Sequence, residues 1–350
     1  MRRKAMPIMR NGGKAREIID KVKKSGNSLP CFCTENIMTT EAIFMGAKKF
    51  KEEKNIKGQL PLIIAFTASY EKRQQLKNYS GLSDFKEGLL AVRDDIERIA
   101  RDKGQFNDID VIVHLDHAQP GDDDWIFKEN KDFISSIMYD CSHYSLNDNI
   151  KMVKDFVKKY KKDFVIEGCV DEIYNYSAGN EKLEVKENIS KADNVEIYFK
   201  ETGVDLVVAN LGTEHRRTES ALKKYQRDAA QKIRDKIGRQ IVLHGASSLS
   251  NTEFKNLPQD GIVKVNIWTI LEVNPSRIMA SKIIKNIDKM LLKENIEKLV
   301  NEGFLNKKVL NKGGRPSLDF LTEKYRRDDI FIPAIVKQVK NYYENFYINY

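Results

Sequence analysis

Eight short apolar runs constrain this 350-residue chain more than any other feature. They are SLPCFC, LPLIIAF, DVIVHLD, SSIMYD, DFVIEGC, DLVVANLG, QIVLHGAS and GIVKVNI. Each is too short for a helix, and its apolar residues run nearly continuously instead of alternating with polar ones. Strands buried on both faces read this way. Between most of them lie charged segments with helical spacing, such as TTEAIFMGAKKFKEE, DNIKMVKDFVKKYKK and ALKKYQRDAAQKIRDKIG, the last stopping at Gly238. Eight such alternations predict a (β/α)8 TIM barrel of class α/β, with an open flavodoxin-like sheet as the alternative. One domain is expected over 1–350. Within it, 1–27 is an N-terminal segment that reads as a mobile end or a first amphipathic turn, and 275–350 is a C-terminal helical extension with a break at Gly313-Gly314-Arg315-Pro316.

All five histidines sit at or just past the ends of these runs: His114, His117, His143, His215 and His244. In a barrel of this kind the C-terminal strand ends form the active rim, so several strands are expected to deliver imidazoles to one place. His117, His215 and His244 would make a three-nitrogen set suited to zinc. Any one of them alone would more often be a hydrogen-bonded core histidine. A fourth ligand is expected from IEGCVDE, where Glu167, Cys169 and Asp171 share one strand face and Glu172 follows. Cys169 is the first candidate, although the commoner fate of a lone cysteine is a small buried apolar residue. Asp116 should point away from His117 along the strand, as a proton-transfer group or as a carboxylate orienting a histidine.

Charge and length exclude other classes. The net charge of +9 comes from lysines interleaved with acids, without the aromatic-and-basic stripe of a nucleic-acid surface. No run is long enough to span a membrane, and no signal peptide opens the chain. Four cysteines at irregular spacing do not make a disulfide framework, so a cytoplasmic location is expected.

HLDHA, SIMYDCSH, IEGC, TGVDLVVANLGTEH, IVLHGASS and GIVKVNI, in this order and spacing over roughly residues 28 to 280, resemble the class II, zinc-dependent fructose-bisphosphate aldolases. The resemblance implies that His117, His215 and His244 bind one zinc ion. It implies that Asp116 handles the proton of the C4 hydroxyl, and that Asp140 and Ser142 lie near the metal. Gly245, Ser247, Asn266 and Thr269 would surround a dihydroxyacetone phosphate end. It also implies a monovalent cation nearby, a small sugar or sugar phosphate as partner, and a homodimer or larger homo-oligomer. The chemistry implied is a reversible aldol cleavage through a zinc-stabilised enediolate.

The chain departs from the family pattern at several of these places. Cys169 replaces a metal-binding Glu, and Arg216 replaces a Gly beside the phosphate, where its fork of donors is expected to bind an anion. Asn266-Ile267-Trp268-Thr269-Ile270 lacks two family carboxylates, and Trp268 is expected to reshape the substrate pocket there. Cys33 and Thr67 replace an Asn and a Ser that face the far phosphate. EIYNYSAGNEKLEV replaces a Gly-Gly-x-E-D loop, leaving Glu172 and Glu181 as candidates for its acid. The expected activity is therefore an aldolase acting on a ketose other than fructose 1,6-bisphosphate. The alternatives are a sugar epimerase, with Glu172, Asp171 or His143 as second proton-transfer group, and a non-catalytic aldolase-like subunit.

Overall fold

The computed structural model describes residues 7–173, 189–214 and 225–349. Each apolar run contains a strand: β1 Leu29–Cys33, β2 Leu60–Phe66, β3 Ile109–Ala118, β4 Ser136–Tyr139, β5 Val165–Cys169, β6 Leu206–Val208, β7 Ile241–Leu243 and β8 Ile262–Ile267. They pair in parallel in chain order, and β8 returns to β1, so the predicted barrel closes.

Strand alternation separates two apolar layers. Phe32, Ile64, Val113, Ile166 and Val265 belong to the layer packed with the surrounding helices. Cys31, Ile63, Ile112, Met138 and Val242 fill the barrel interior. Fully burying one such aliphatic side chain contributes about 1.5–3 kcal/mol, which explains why both faces of each strand are apolar.

The N-terminal segment is more ordered than its composition suggests. From Gly12 it forms the helix Gly12–Lys24, whose Ala15, Ile19 and Val22 join the interior cluster. A Cβ at Gly12 would lie 2.5 Å from the Phe164 backbone, so glycine allows the helix to dock there.

The C-terminal extension also departs from its expected boundary. Helix Thr269–Lys285 starts one residue after β8, earlier than 275, and Gly313 interrupts the chain further on in the left-handed region (φ 65°). The last helix, Ile332–Phe346, packs on helix Ile37–Glu53. Tyr343 stacks on Phe50 at 5.1 Å and donates to the Pro61 carbonyl at 2.8 Å. The extension thus packs on this chain's own barrel. Among the described residues, no helix is long and apolar enough to cross a membrane.

Candidate metal and substrate site

The end of β3 breaks the alternation expected of it. His117 has φ 49°, and the pairing of β3 with β4 shifts register between Leu115 and Ala118. A left-handed non-glycine residue is uncommon and tends to mark functional sites. In place of pointing apart, as strict alternation predicts, Asp116 and His117 turn to the same cavity. One ligand atom each from Asp116, His117 and His244 lies within 4.8 Å of the others, and all three residues are buried. The His117 and His244 rings meet edge to face at 5.0 Å. His215 and Arg216, called from sequence as ligand and anion contact, lie outside the described residues, as does Glu181.

His117 is held on two sides. Its ring stacks on Tyr70 at 4.1 Å, and its Nδ1 is 2.6 Å from Asp140 Oδ2. A carboxylate only accepts, so Nδ1 donates and Nε2 carries the lone pair of the neutral ring. Asp140 Oδ1 accepts from Ser142 N (3.1 Å) and Ser142 Oγ (2.7 Å). Burial alone would raise the Asp140 carboxyl, but the His117 and Ser142 bonds bring it down to about 2. For His117, burial works against the charged form, yet Asp116 and Asp140 raise its pKa overall. Asp140 therefore fixes the orientation and tautomer of the His117 imidazole, whose Nε2 lone pair can hold a metal ion. Asp140→Asn should weaken zinc binding by about 10–100-fold with the fold retained, read by competition against a chromogenic chelator. Unchanged affinity would remove that role.

Asp116 is a buried carboxylate in a dense polar setting. Cys33 Sγ donates to its Oδ2 at 3.8 Å, while His114 Nε2 and His244 Nε2 lie 3.6 and 3.9 Å from its Oδ1. Burial pushes its pKa up, but His117, His244 and His114 together pull it well below the usual carboxylate value. Among the described residues Oδ1 has no hydrogen-bond partner. A buried anionic oxygen beside two imidazoles suits a cation.

Beneath this cluster is an ionic floor. Lys264 Nζ donates to Glu167 Oε2 at 2.9 Å and to His114 Nε2 at 3.1 Å, and His114 Nδ1 faces Ser136 Oγ at 2.8 Å. An ammonium offers only donors, so His114 Nε2 accepts and Nδ1 donates to Ser136. Burial opposes the Lys264 charge, but Cys31, Glu167 and Asp116 hold its pKa above the ordinary lysine value. Glu167 is thus the counter-ion of Lys264.

Cys169 is placed differently from its sequence reading. Its thiol donates to the Asp171 carbonyl at 3.3 Å, and burial pushes its pKa well above the usual thiol value. It borders a second cavity that His117 also lines, with Asp140, Ser142, His143 and Glu172, and among the described residues it is not a member of the Asp116–His117–His244 group. Asp171 accepts from Ser190 Oγ at 2.6 Å. Glu172 and His143, the other proton-transfer candidates, line that second cavity.

A cavity that Asp116, His117 and His244 help to line is also lined by Gly245, Ser247, Asn266, Trp268 and Thr269. Gly245 has φ 72°, and a Cβ there would lie 2.9 Å from the Glu214 backbone, so only glycine fits the turn. Among the described residues, buried Ser247 Oγ, both amide atoms of Asn266 and Trp268 Nε1 lack hydrogen-bond partners. Each such group costs about 1–3 kcal/mol unless something meets it. Tyr70, Arg73 and Glu35 were not called from sequence. They lie on the loops after β2 and β1, which carry no periodic signal and no scarce residue type.

Comparison with known proteins accords with this geometry. The model of the family described as fructose-bisphosphate aldolase class-II matches residues 13–315. The D-tagatose-1,6-bisphosphate aldolase subunit GatY of Klebsiella oxytoca is 25% identical over 263 residues, 74% of this chain and 82% of its own. A fructose-bisphosphate aldolase structure from Campylobacter jejuni matches with TM-score 0.71 and 17% identity over 97% of this chain and 95% of its own. The YdjI aldolase structure from Escherichia coli K12 matches with TM-score 0.61 and 17% identity, over 96% and 97%.

Proposed function

The chain belongs to the class II fructose-bisphosphate aldolase family, and from that premise we propose that it is a zinc-dependent aldolase cleaving a phosphorylated ketose. The observation that carries this reading is the buried Asp116–His117–His244 group at the strand-end rim. His117 and His244 would hold the ion, together with His215 from the sequence motif. A divalent ion bound there supplies Lewis acidity at the ketose carbonyl.

The chain's own residues do the rest. Asp116, with one oxygen held by Cys33, takes the proton of the C4 hydroxyl as the C3–C4 bond breaks. Ser247 Oγ, the Asn266 amide and Thr269, which begins helix Thr269–Lys285, form the phosphate pole. A helix N-terminus beside a hydroxyl and an amide favours an anion. Glu172 and His143, which line a second cavity together with His117, are the candidates for returning a proton to C3.

Product analysis separates this reading from an epimerase on the same site. Incubation of the zinc-loaded protein with ketose 1-phosphates and 1,6-bisphosphates should release dihydroxyacetone phosphate. Conversion to a stereoisomer without release of any three-carbon product would assign epimerisation, and no conversion would leave neither.

A further inference from the structure

Buried Ser247 Oγ and both amide atoms of Asn266 lack partners among the described residues. At the end of their cavity lined by Cys33, Thr67 and Arg73, the side chains from β1, β2 and their loops are engaged with one another, and Trp268 Nε1 beside them is a lone buried donor among the described residues, suited to a hydroxyl.

Thr67 Oγ1 donates to the Arg73 carbonyl and accepts from Gln75 N at 3.2 Å, while Gln75 Oε1 accepts from Thr67 N at 3.0 Å. The Cys33 thiol is directed at Asp116. Arg73 is the one cationic side chain lining this end among the described residues. Its guanidinium forms a fork with the Glu35 carboxylate through Nε (2.7 Å) and Nη2, and lies 4.3 Å over the Trp268 ring. Asn78 Nδ2 also donates to Glu35, at 3.3 Å. Behind this pair is Glu272, whose carboxyl is pushed up by burial and by the Glu35 charge. A second phosphate arriving here would meet an arginine already neutralised, with two acidic side chains behind it. Among the described residues it would lose its hydration without gaining a counter-ion. What this end does present is the Trp268 indole with Ile267 and Ile270, a wall suited to the carbon face of an uncharged polyol chain.

We propose that the substrate is a ketose 1-phosphate whose other half carries no phosphate, its hydroxylated chain lying against Trp268. This rests on the aldolase reading above and names its substrate class. In the cleavage direction the C3–C4 bond breaks, the C4 hydroxyl proton passes to Asp116, and the electron pair stays on C3 until a proton is returned there. The products are dihydroxyacetone phosphate and an unphosphorylated aldehyde.

The test compares kcat/KM of the zinc-loaded full chain for fructose 1-phosphate and tagatose 1-phosphate with that for the matching 1,6-bisphosphates. The monophosphates should be preferred by about tenfold or more, since selectivity here is a difference between one anion met and one left unmet. Equal or better cleavage of the bisphosphates overturns the inference while leaving the aldolase reading intact. Cleavage of none of the four sinks both. Glu35→Gln should release Arg73 and shift the ratio at least about fivefold toward the bisphosphates. An unchanged ratio would show that the Arg73–Glu35 pair does not set selectivity.

Discussion

Replacing His244 with alanine lowers bound zinc well below one equivalent and reduces ketose phosphate cleavage by about a thousandfold or more, because Lewis-acid stabilisation supplies several kcal/mol of the barrier reduction. The loss should come without unfolding. His244 follows the last residue of β7 at the open rim, and its backbone carbonyl, which accepts from Thr213 Oγ1 at 2.6 Å, is unaffected by the substitution. His117→Ala should give the same loss of metal. It also leaves Asp140 buried without its imidazole partner, so some loss of thermal stability should accompany it. Zinc content by elemental analysis, beside a thermal melt, checks both variants. Full zinc occupancy in either would remove that histidine from the ligand set.

Asp116→Asn separates proton transfer from metal binding. The amide is nearly isosteric, keeps the cavity filled and cannot take a proton from the C4 hydroxyl. Turnover should fall about 10²–10⁴-fold, the usual range for a positioned acid–base group, while zinc content stays at that of the unsubstituted protein. KM should move far less than kcat, because the phosphate pole at Ser247 and Thr269 lies on β7 and β8 loops that the substitution does not touch. Turnover within tenfold of the unsubstituted protein would refute the role. Loss of zinc as well would make Asp116 a ligand, which its closeness to His117 and His244 also permits.

The barrel was legible because its physical cause is written in every strand. A parallel strand covered on both faces must be apolar at consecutive positions, and LPLIIAF and DVIVHLD are. His117 and His244 could be placed together because histidine is scarce and strand ends are identifiable, whereas His114 lies lower, against Lys264 and Ser136. What escaped depends on three-dimensional detail. The left-handed backbone of His117 turns its own side chain toward the cavity that Asp116 already faces, against the alternation, and nothing in HLDHA signals that irregularity. Glu167 and Cys169 share a strand with alternating faces, yet one pairs with Lys264 from β8 and the other bonds to the backbone of its own loop. Lys264 reads as one polar residue in an apolar strand, and its partners are 97 and 150 residues away. Arg73, Glu35 and Trp268 meet across three loops, a juxtaposition that no local pattern encodes.

The proposed cleavage of a phosphorylated ketose requires one divalent ion on the strand-end histidines. The most direct measurement strips the protein with a chelator, returns zinc in sub-stoichiometric steps and follows dihydroxyacetone phosphate release at each step. Stripped protein should release negligible dihydroxyacetone phosphate, and release should recover linearly and saturate at about one zinc per chain, as expected of a single catalytic site. Undiminished release from stripped protein, or no release at any zinc level from well-folded protein, would contradict the proposal.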